Sequence, residues 1–416
     1  MLPTLRGVAV LALAFAACAA PRKPSPPPPP AESRDGRWRQ DVAYLAAELP
    51  RLHGNLFHRL RRGDFEGSIA EVDASVPRLD DAEIAVALAR IVARADDAHT
   101  RLVLPPARYP FAFHRFADGW FAVATTEERR AALGARLVRI GETEVEEAVA
   151  RISPLVPTEG NESWLRVQVA DLLSNAAALR GVGVLPSKEE GRFTFERKGE
   201  RFEIATPPLA GETRPTWVET FEAPLPEYRR RRSENYWFEW WEGSRTLYFQ
   251  YNSCAETEGK PIRPFFRTLL ETGKPLDRLV VDLRGNGGGN SSLLSPFVTA
   301  IRRDRSLNRP GKVLVLIGRR TFSSASLNAR ELRERTKAVF LGEPTGGNPY
   351  TPFRESASFR LPNSGLQVNF TSRFVGARPG PAAAILPDVP VEVSSSDWFA
   401  GRDPVLDAAL AYPSAP

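Results

Sequence analysis

The chain has 416 residues, of which 42% are hydrophobic and 25% charged, a globular composition too long for a single average core. Basic residues outnumber acidic ones by 56 to 50 for a net charge of +6, but they are scattered rather than striped among aromatics, which argues against a nucleic-acid partner. Two cysteines exclude a disulfide framework, so stability must come from packed cores.

The chain opens with "MLPTLRGVAVLALAFAACAA": one early Arg6, an apolar run from Gly7 to Ala17, then Cys18. That run is shorter than the roughly 20 residues that span a bilayer, so it reads as a signal peptide over residues 1–18. Phe15-Ala16-Ala17-Cys18 resembles the bacterial lipoprotein cleavage box, which makes Cys18 the expected lipidation site. The expected location is therefore the bacterial cell envelope or periplasm, on a lipid anchor; plain secretion is the alternative. Residues 19–37 follow as a proline-rich tether, since consecutive prolines fix φ, remove donors and favour polyproline II.

Residues 38–104 are expected to be helical. In "LDDAEIAVALARIVARADD", Asp80 and Glu83 form a capping-box signature, and Ile84, Leu88, Ile91 and Val92 share one helix face. Residues 105–205 read as a β-rich module through "GWFAVAT", "ARLVRIG" and "GRFTFERKGERFEIAT". "GARLVRIGETEVEEAVARI" resembles a strand and helix of a PDZ domain, though no glycine-rich peptide-binding loop accompanies it. A generic β-sandwich insert is the equal alternative. The run from Arg229 to Arg232 reads as a solvated loop.

From Ser244 onward, within an expected catalytic unit spanning 206–416, the texture changes. "RTLYFQYN", "DRLVVDLRG", "KVLVLIG" and "KAVFLGE" are continuous β-branched runs separated by helix-like segments, the pattern of an α/β unit with a mostly parallel sheet. Ligands of such sheets bind at the carboxyl ends of strands. One such loop, "DLRGNGGGNSS", places Gly285, Gly287, Gly288 and Gly289 between strand and helix, without the lysine of a P-loop or the third glycine of a dinucleotide site. The remaining active reading is an oxyanion hole built from backbone N–H groups. The other loop, "GRRTFSSASLNAR", puts Ser323 and Ser324 at a helix N-terminus, where either a cap or a nucleophile fits the residues.

"DLRGNGGG", "GRRTFSSAS" and "AVFLGEPTGGNP", in this order and spacing, resemble the motifs of the C-terminal processing (tail-specific) serine peptidases, a family that includes the tricorn core and retinoid-binding relatives. The closing "ILPDVPVEV" and "GRDPVLDAAL" extend the likeness. The resemblance implies an α/β fold with a crotonase/ClpP-like catalytic domain, behind the helical region and the degenerate PDZ-like module. It also implies serine-type hydrolysis of peptide bonds in peptide or protein substrates, with no cofactor and no metal. Counting nineteen residues back from Gly342 gives Ser323 as the implied nucleophile, with the oxyanion between the N–H groups of Ser324 and Gly287 or Gly288.

The resemblance fails at one position. The family's lysine base falls on Asn348, which has no basic nitrogen. The tricorn-like branch uses histidine instead, and His99 in "DAHTRL" matches that segment; an imidazole is suited to deprotonate a serine near neutral pH. His58 is the weaker choice. For the acid that orients the imidazole, Glu355 is preferred over Asp388, Asp97 and Glu343. A catalytically inactive relative that binds peptides or apolar ligands is the alternative function, and a crotonase-type acyl-CoA enzyme is a remoter one.

Overall fold

The helical expectation upstream rests on caps and spacing, and a computed structural model of the chain shows how both act. It describes residues 22–186, 190–209, 215–219, 225–271, 275–376 and 380–413. The signal peptide and Cys18 lie outside these residues. Helix α1 (Arg34–Leu52) starts at Ser33, whose side chain accepts the Gly36 N–H, and buries Val42, Leu45, Leu49 and Leu52 at spacings of three and four. The proline-rich stretch before it has no regular structure and lies along α1: Tyr44 donates to the Ser25 carbonyl at 2.6 Å, and the Ser25 N–H donates to Glu48 at 3.1 Å. Helices α2 (Arg62–Ser75) and α3 (Asp81–Ala93) follow, and α3 begins on the Asp80–Glu83 capping box.

Strand β1 (Arg101–Val103) leads into a module of β2 (Phe111–Phe116), β3 (Gly119–Thr125), β4 (Arg136–Ile140), β5 (Thr143–Glu144), α4 (Val145–Ile152), α5 (Glu162–Leu172), α6 (Ala176–Gly181), β6 (Gly191–Arg197) and β7 (Glu200–Thr206). Its strands are antiparallel in the order β2-β3-β4-β6-β7, with Phe111, Phe113, Phe193 and Phe195 buried at alternate positions on one face. Short α7 (Glu227–Arg230) precedes the second sheet, which contains β8 (Tyr236–Trp241), β9 (Thr246–Tyr251), β10 (Arg278–Asp282), β11 (Val313–Ile317), β12 (Val339–Gly342) and β15 (Val389–Pro390).

That sheet runs β15-β12-β11-β10-β9-β8, parallel throughout except for β8. Because β9, β10, β11 and β12 are neighbours in chain order, right-handed crossovers place α8 (Ile262–Leu270), α9 (Ser295–Arg303) and α10 (Ser324–Arg335) on one face. The other face is covered by α12 (Pro404–Ala411), which follows the short α11 (Ser395–Phe399). Burial on both faces explains the continuous apolar runs: Val313 to Ile317 are all buried.

The hairpin of β13 (Phe353–Arg360) and β14 (Gln367–Phe374) does not join this sheet. It pairs with β1, Arg101 opposite Asn369, in a separate sheet β1-β14-β13, and its Phe359, Val368 and Phe370 belong to the same core as α1, α3 and the β-module. This corrects the expected crotonase/ClpP-like domain. The catalytic sheet is one open layer, and the chain between its strands β12 and β15 builds a structure shared with the N-terminal helices.

Candidate active site

Two loops at the carboxyl ends of β10 and β11 and a third from the end of α3 meet at one point. The first begins with Asp282 and Arg284, which pair with each other at 2.6 Å, and Arg284 also binds Asp403 at the start of α12 at 2.7 Å. This buried carboxylate–guanidinium–carboxylate set pins the loop to the far face of the sheet. Asn286, buried and within the "DLRGNGGG" motif but given no role from sequence, organises the rest of the glycine loop. Its amide donates to the Tyr251 carbonyl at 2.9 Å, its Oδ1 accepts the Gly288 N–H at 2.9 Å, and its carbonyl accepts the Phe322 N–H at 3.0 Å. The Gly288 amide is therefore engaged, which corrects its expected place among the oxyanion donors. Its glycine is needed for another reason: φ is +111°, and a Cβ there would stand 2.8 Å from the Ser323 Cβ.

In the second loop, Thr321 bridges the strands by donating to the Leu283 carbonyl at 2.9 Å. Ser323 then occupies the N-cap of α10 with φ +52° and ψ −125°, a strained conformation for a residue with a side chain. It does not cap the helix through its hydroxyl. The N–H groups of Gly287 and Ser324 have no acceptor among the described residues. The Ser324 hydroxyl donates to the Gly289 carbonyl at 2.5 Å, and the buried Ser326 hydroxyl to the Thr321 carbonyl at 2.9 Å. The segment after β12 closes the site from below: a Cβ on Gly347 would lie 2.8 Å from the Ser323 nitrogen and 2.3 Å from the Ser326 hydroxyl. Asn348 lines the same cavity as Ser323 and His99, with its Oδ1 accepting the Tyr350 N–H at 2.9 Å as a turn residue.

The third loop brings His99. Its Nε2 lies 2.9 Å from the Ser323 Oγ across 224 residues of sequence. Phe322 stacks on Trp164 of α5 at 3.8 Å and faces the imidazole at 4.9 Å, so one aromatic ring sets the position of the other. Trp164 carries no motif and gives no signal in the sequence. Burial pushes the His99 pKa below 6.5, with the charges of Arg101 and Arg354 acting the same way and Asp97 opposing them.

Of the four expected carboxylates, Asp97 faces the imidazole, its Oδ1 3.8 Å from His99 Nδ1 and 3.1 Å from the His99 N–H. Its Oδ2 accepts the hydroxyls of Thr100 at 2.5 Å and Thr371 of β14 at 2.6 Å, beside the buried His53. Burial would raise the Asp97 pKa, but the hydrogen bonds from His53, Thr100 and Thr371 and the nearby His99 hold it below the ordinary carboxylate range. Glu355 is placed differently from expectation. It is exposed at the edge of the cavity and pairs with Arg373 at 3.1 Å, so β13 directs its charge into solvent rather than onto the imidazole. Asp388 pairs with Arg333 and Glu343 with Arg319, both structurally. His58 packs on Phe374, and His114 stacks on Trp398.

Glu159, absent from the expected site, is buried beneath the third loop. Its Oε1 accepts the Ala98 N–H at 2.9 Å and the Thr351 hydroxyl at 3.1 Å, and its Oε2 has no partner. Burial raises its pKa to about 7, with help from Asp97 and Asp96. Cys254 is buried under the glycine loop, and burial pushes its thiol up to about 11, which leaves it inert as a nucleophile. Among the described residues no group of three or more His, Cys, Asp or Glu could hold a metal ion, and no helix is long and apolar enough to cross a membrane.

Residues 245–373 match the family described as peptidase family S41. No curated protein sequence matches the chain. Among solved structures it is similar to mature CPAF complexed with lactacystin, at 12% identity over 90% of this chain and 98% of that one, TM-score 0.62. It is equally similar to mature CPAF alone, at 13% identity over 90% and 96%, TM-score 0.62. A CPAF mutant gives 12% identity over 92% and 99%, TM-score 0.60. These likenesses show the fold over nearly the whole chain and replace the crotonase/ClpP-like expectation with an α/β catalytic domain like that of mature CPAF.

Proposed function

We propose that this chain, which belongs to peptidase family S41 and is a serine peptidase, cleaves internal peptide bonds with Ser323 as nucleophile and His99 as general base, the tricorn-like arrangement. The single observation that supports this reading most is the 2.9 Å contact between His99 Nε2 and Ser323 Oγ, at the place where the family lysine is replaced by Asn348. A base must reach the proton it abstracts, and here it does without closure.

His99, held neutral near pH 7 by its surroundings, takes the Ser323 proton as Oγ attacks the substrate carbonyl. The developing alkoxide is received by the Gly287 and Ser324 N–H groups, the second at the start of α10, whose dipole favours negative charge. Collapse expels the amine, protonated by the imidazolium, and a water deprotonated by His99 then frees the acyl group from Ser323. Asp97 fixes the His99 backbone by accepting its N–H and stabilises the cationic form of the ring from 3.8 Å, the ring Nδ1 having no hydrogen-bond partner among the described residues. Outside the described residues, the reading keeps 1–18 as a lipoprotein signal peptide, Cys18 as the lipid anchor and the cell envelope as the location.

The test is labelling by a fluorophosphonate probe. Wild-type labelling that disappears in Ser323→Ala supports the assignment. Labelling that survives in Ser323→Ala and disappears in Ser324→Ala moves the nucleophile by one residue and refutes it.

A further inference from the structure

His99 lines two cavities that also share Ala98, Phe322 and Ser356, and Ser323 lines the smaller of them. The larger, of roughly 590 Å³, is bounded by Gly287 on the proposed oxyanion side and by β13 residues Ser356, Ala357 and Ser358 on the other. Its charged lining consists of Arg101 and Arg320, with His99 as its other titratable group and no carboxylate. Arg101 donates to the neutral Gln168 at 2.7 Å. Arg320 is more than half exposed and meets a carboxylate only at 3.9 Å, from Asp171. Other arginines among the described residues, such as Arg284, Arg319 and Arg333, meet carboxylates at 2.5–2.7 Å. Both guanidiniums are exposed and, among the described residues, reach no carboxylate closer than the 3.9 Å of Asp171 to Arg320, so both can offer donors to an anionic group in the cavity.

Two titrating groups register the same field. Burial chiefly lowers His114, to about 3, and Arg319, Arg320 and Arg229 add to that shift from the neighbouring cavity that shares Gly285 and Arg320. His99 is lowered by burial and then by Arg101 and Arg354, against Asp97. The neighbouring cavity has its own acids, Asp171, Glu219 and Glu343, and Asp171 also acts on Arg101 and Arg320, whereas the cavity that holds Gly287 and His99 is lined by no carboxylate.

We infer that Arg101 and Arg320 form a subsite for a carboxylate of the peptide substrate, so that the enzyme selects acidic peptide segments next to the scissile bond. This rests on the peptidase reading above. Planar guanidiniums suit a carboxylate, and the neutral Gln168, Ser356, Ser358 and Asn369 around them supply further polar partners without competing charge. A side-chain carboxylate and a chain-terminal carboxylate have the same chemistry here, and the test separates them.

The assay compares kcat/KM for matched peptides: Glu against Gln at each position flanking the cleaved bond, and a free C-terminus against its amide. We expect a preference of about tenfold or more for the acid at one position, as for hydrogen bonds to a charged group, weakening as salt is raised. Preference in the Glu/Gln pair identifies a side-chain carboxylate; preference confined to the free terminus identifies the terminal one. In Arg101→Gln and Arg320→Gln the acid-to-neutral ratio should fall toward one, and Arg320→Glu should favour Lys over Glu. Binding of the same peptides to Ser323→Ala, read by fluorescence anisotropy, gives the second measurement. Acid-selective binding without wild-type hydrolysis would overturn the peptidase mechanism and leave the carboxylate subsite standing. Hydrolysis with ratios near one in every pair, or ratios unchanged in the arginine variants, would overturn the subsite alone.

Discussion

Glu159→Gln probes the platform beneath His99. The Glu159 carboxyl is buried, fixes the Ala98 amide immediately before His99, and has a pKa raised from 4.5 to about 7, by burial first and then by Asp97 and Asp96. A carboxyl whose value is raised in the folded state costs nothing below pH 4.5, where both states are protonated. Its cost grows between 4.5 and about 7 and is fully present above, where the folded chain must hold a buried carboxylate. That interval corresponds to about 3 kcal/mol, an upper limit because neighbouring carboxylates share the titration. Gln keeps an acceptor for Ala98 and Thr351 while removing the charge. The variant should match wild type in stability at pH 4.5 and exceed it increasingly up to pH 8, by up to about 3 kcal/mol. Calorimetric melting of both proteins at pH 4.5, 6, 7 and 8 reads this directly. A melting-temperature difference that does not vary with pH, or one that favours wild type as pH rises, would refute the reasoning.

Ser323→Ala and His99→Ala should each lower kcat by on the order of 10⁴-fold or more while leaving the thermal melt near wild type, since they act as one unit; a double variant no slower than either single one checks that coupling. The acid limb of kcat/KM should lie below pH 6.5, because burial lowers His99, and should move upward in Arg101→Gln as one lowering charge is removed; a limb above 6.5 in wild type, or one unmoved in Arg101→Gln, would refute that account of the His99 environment. Gly288→Ala should cost about 1–3 kcal/mol from its φ of +111° and about 10²-fold in kcat, as its Cβ displaces Ser323; calorimetry and steady-state kinetics would show both losses. Cys18→Ser should abolish partition of the full chain into a detergent phase, and unchanged partition would remove the lipid anchor.

The chemistry carried by continuous motifs is legible in the sequence to differing degrees. A glycine run after one apolar strand and a serine cluster after another locate two loops at the carboxyl ends of β10 and β11. Partners are harder to read, because a hydrogen bond between distant segments leaves no spacing signal. Position after a motif favours Glu355 as the orienting acid, whereas its left-handed φ of +61° in the exposed middle of β13 turns it to Arg373 and solvent. Asp97 precedes His99 by two residues and is a candidate from sequence, but its bonds to Thr371 and His53 depend on a sheet pairing that local periodicity cannot reveal. Gly288 looks like a donor by composition, and only the Asn286 side chain shows that its N–H is taken. The same limit applies to the fold, since nothing local tells β13 and β14 to pair with β1 rather than extend the parallel sheet.

That pairing explains why the base can come from the other end of the chain. His99 lies at the exit of α3, two residues before β1, and β1 is held by β14, which follows the nucleophile in sequence. Thr371 on β14 also donates to Asp97, so the strand that fixes the backbone of the loop fixes its carboxylate too. Trp164 reaches the site from α5 and sets Phe322, the residue before Ser323. The proposed catalytic pair is thus assembled from three regions of one continuous structure rather than contained in the parallel sheet. With His99 as the proposed base, the β1–β14 junction becomes part of the proposed catalytic apparatus, so a perturbation there, far in sequence from Ser323, should act first on the proton acceptor.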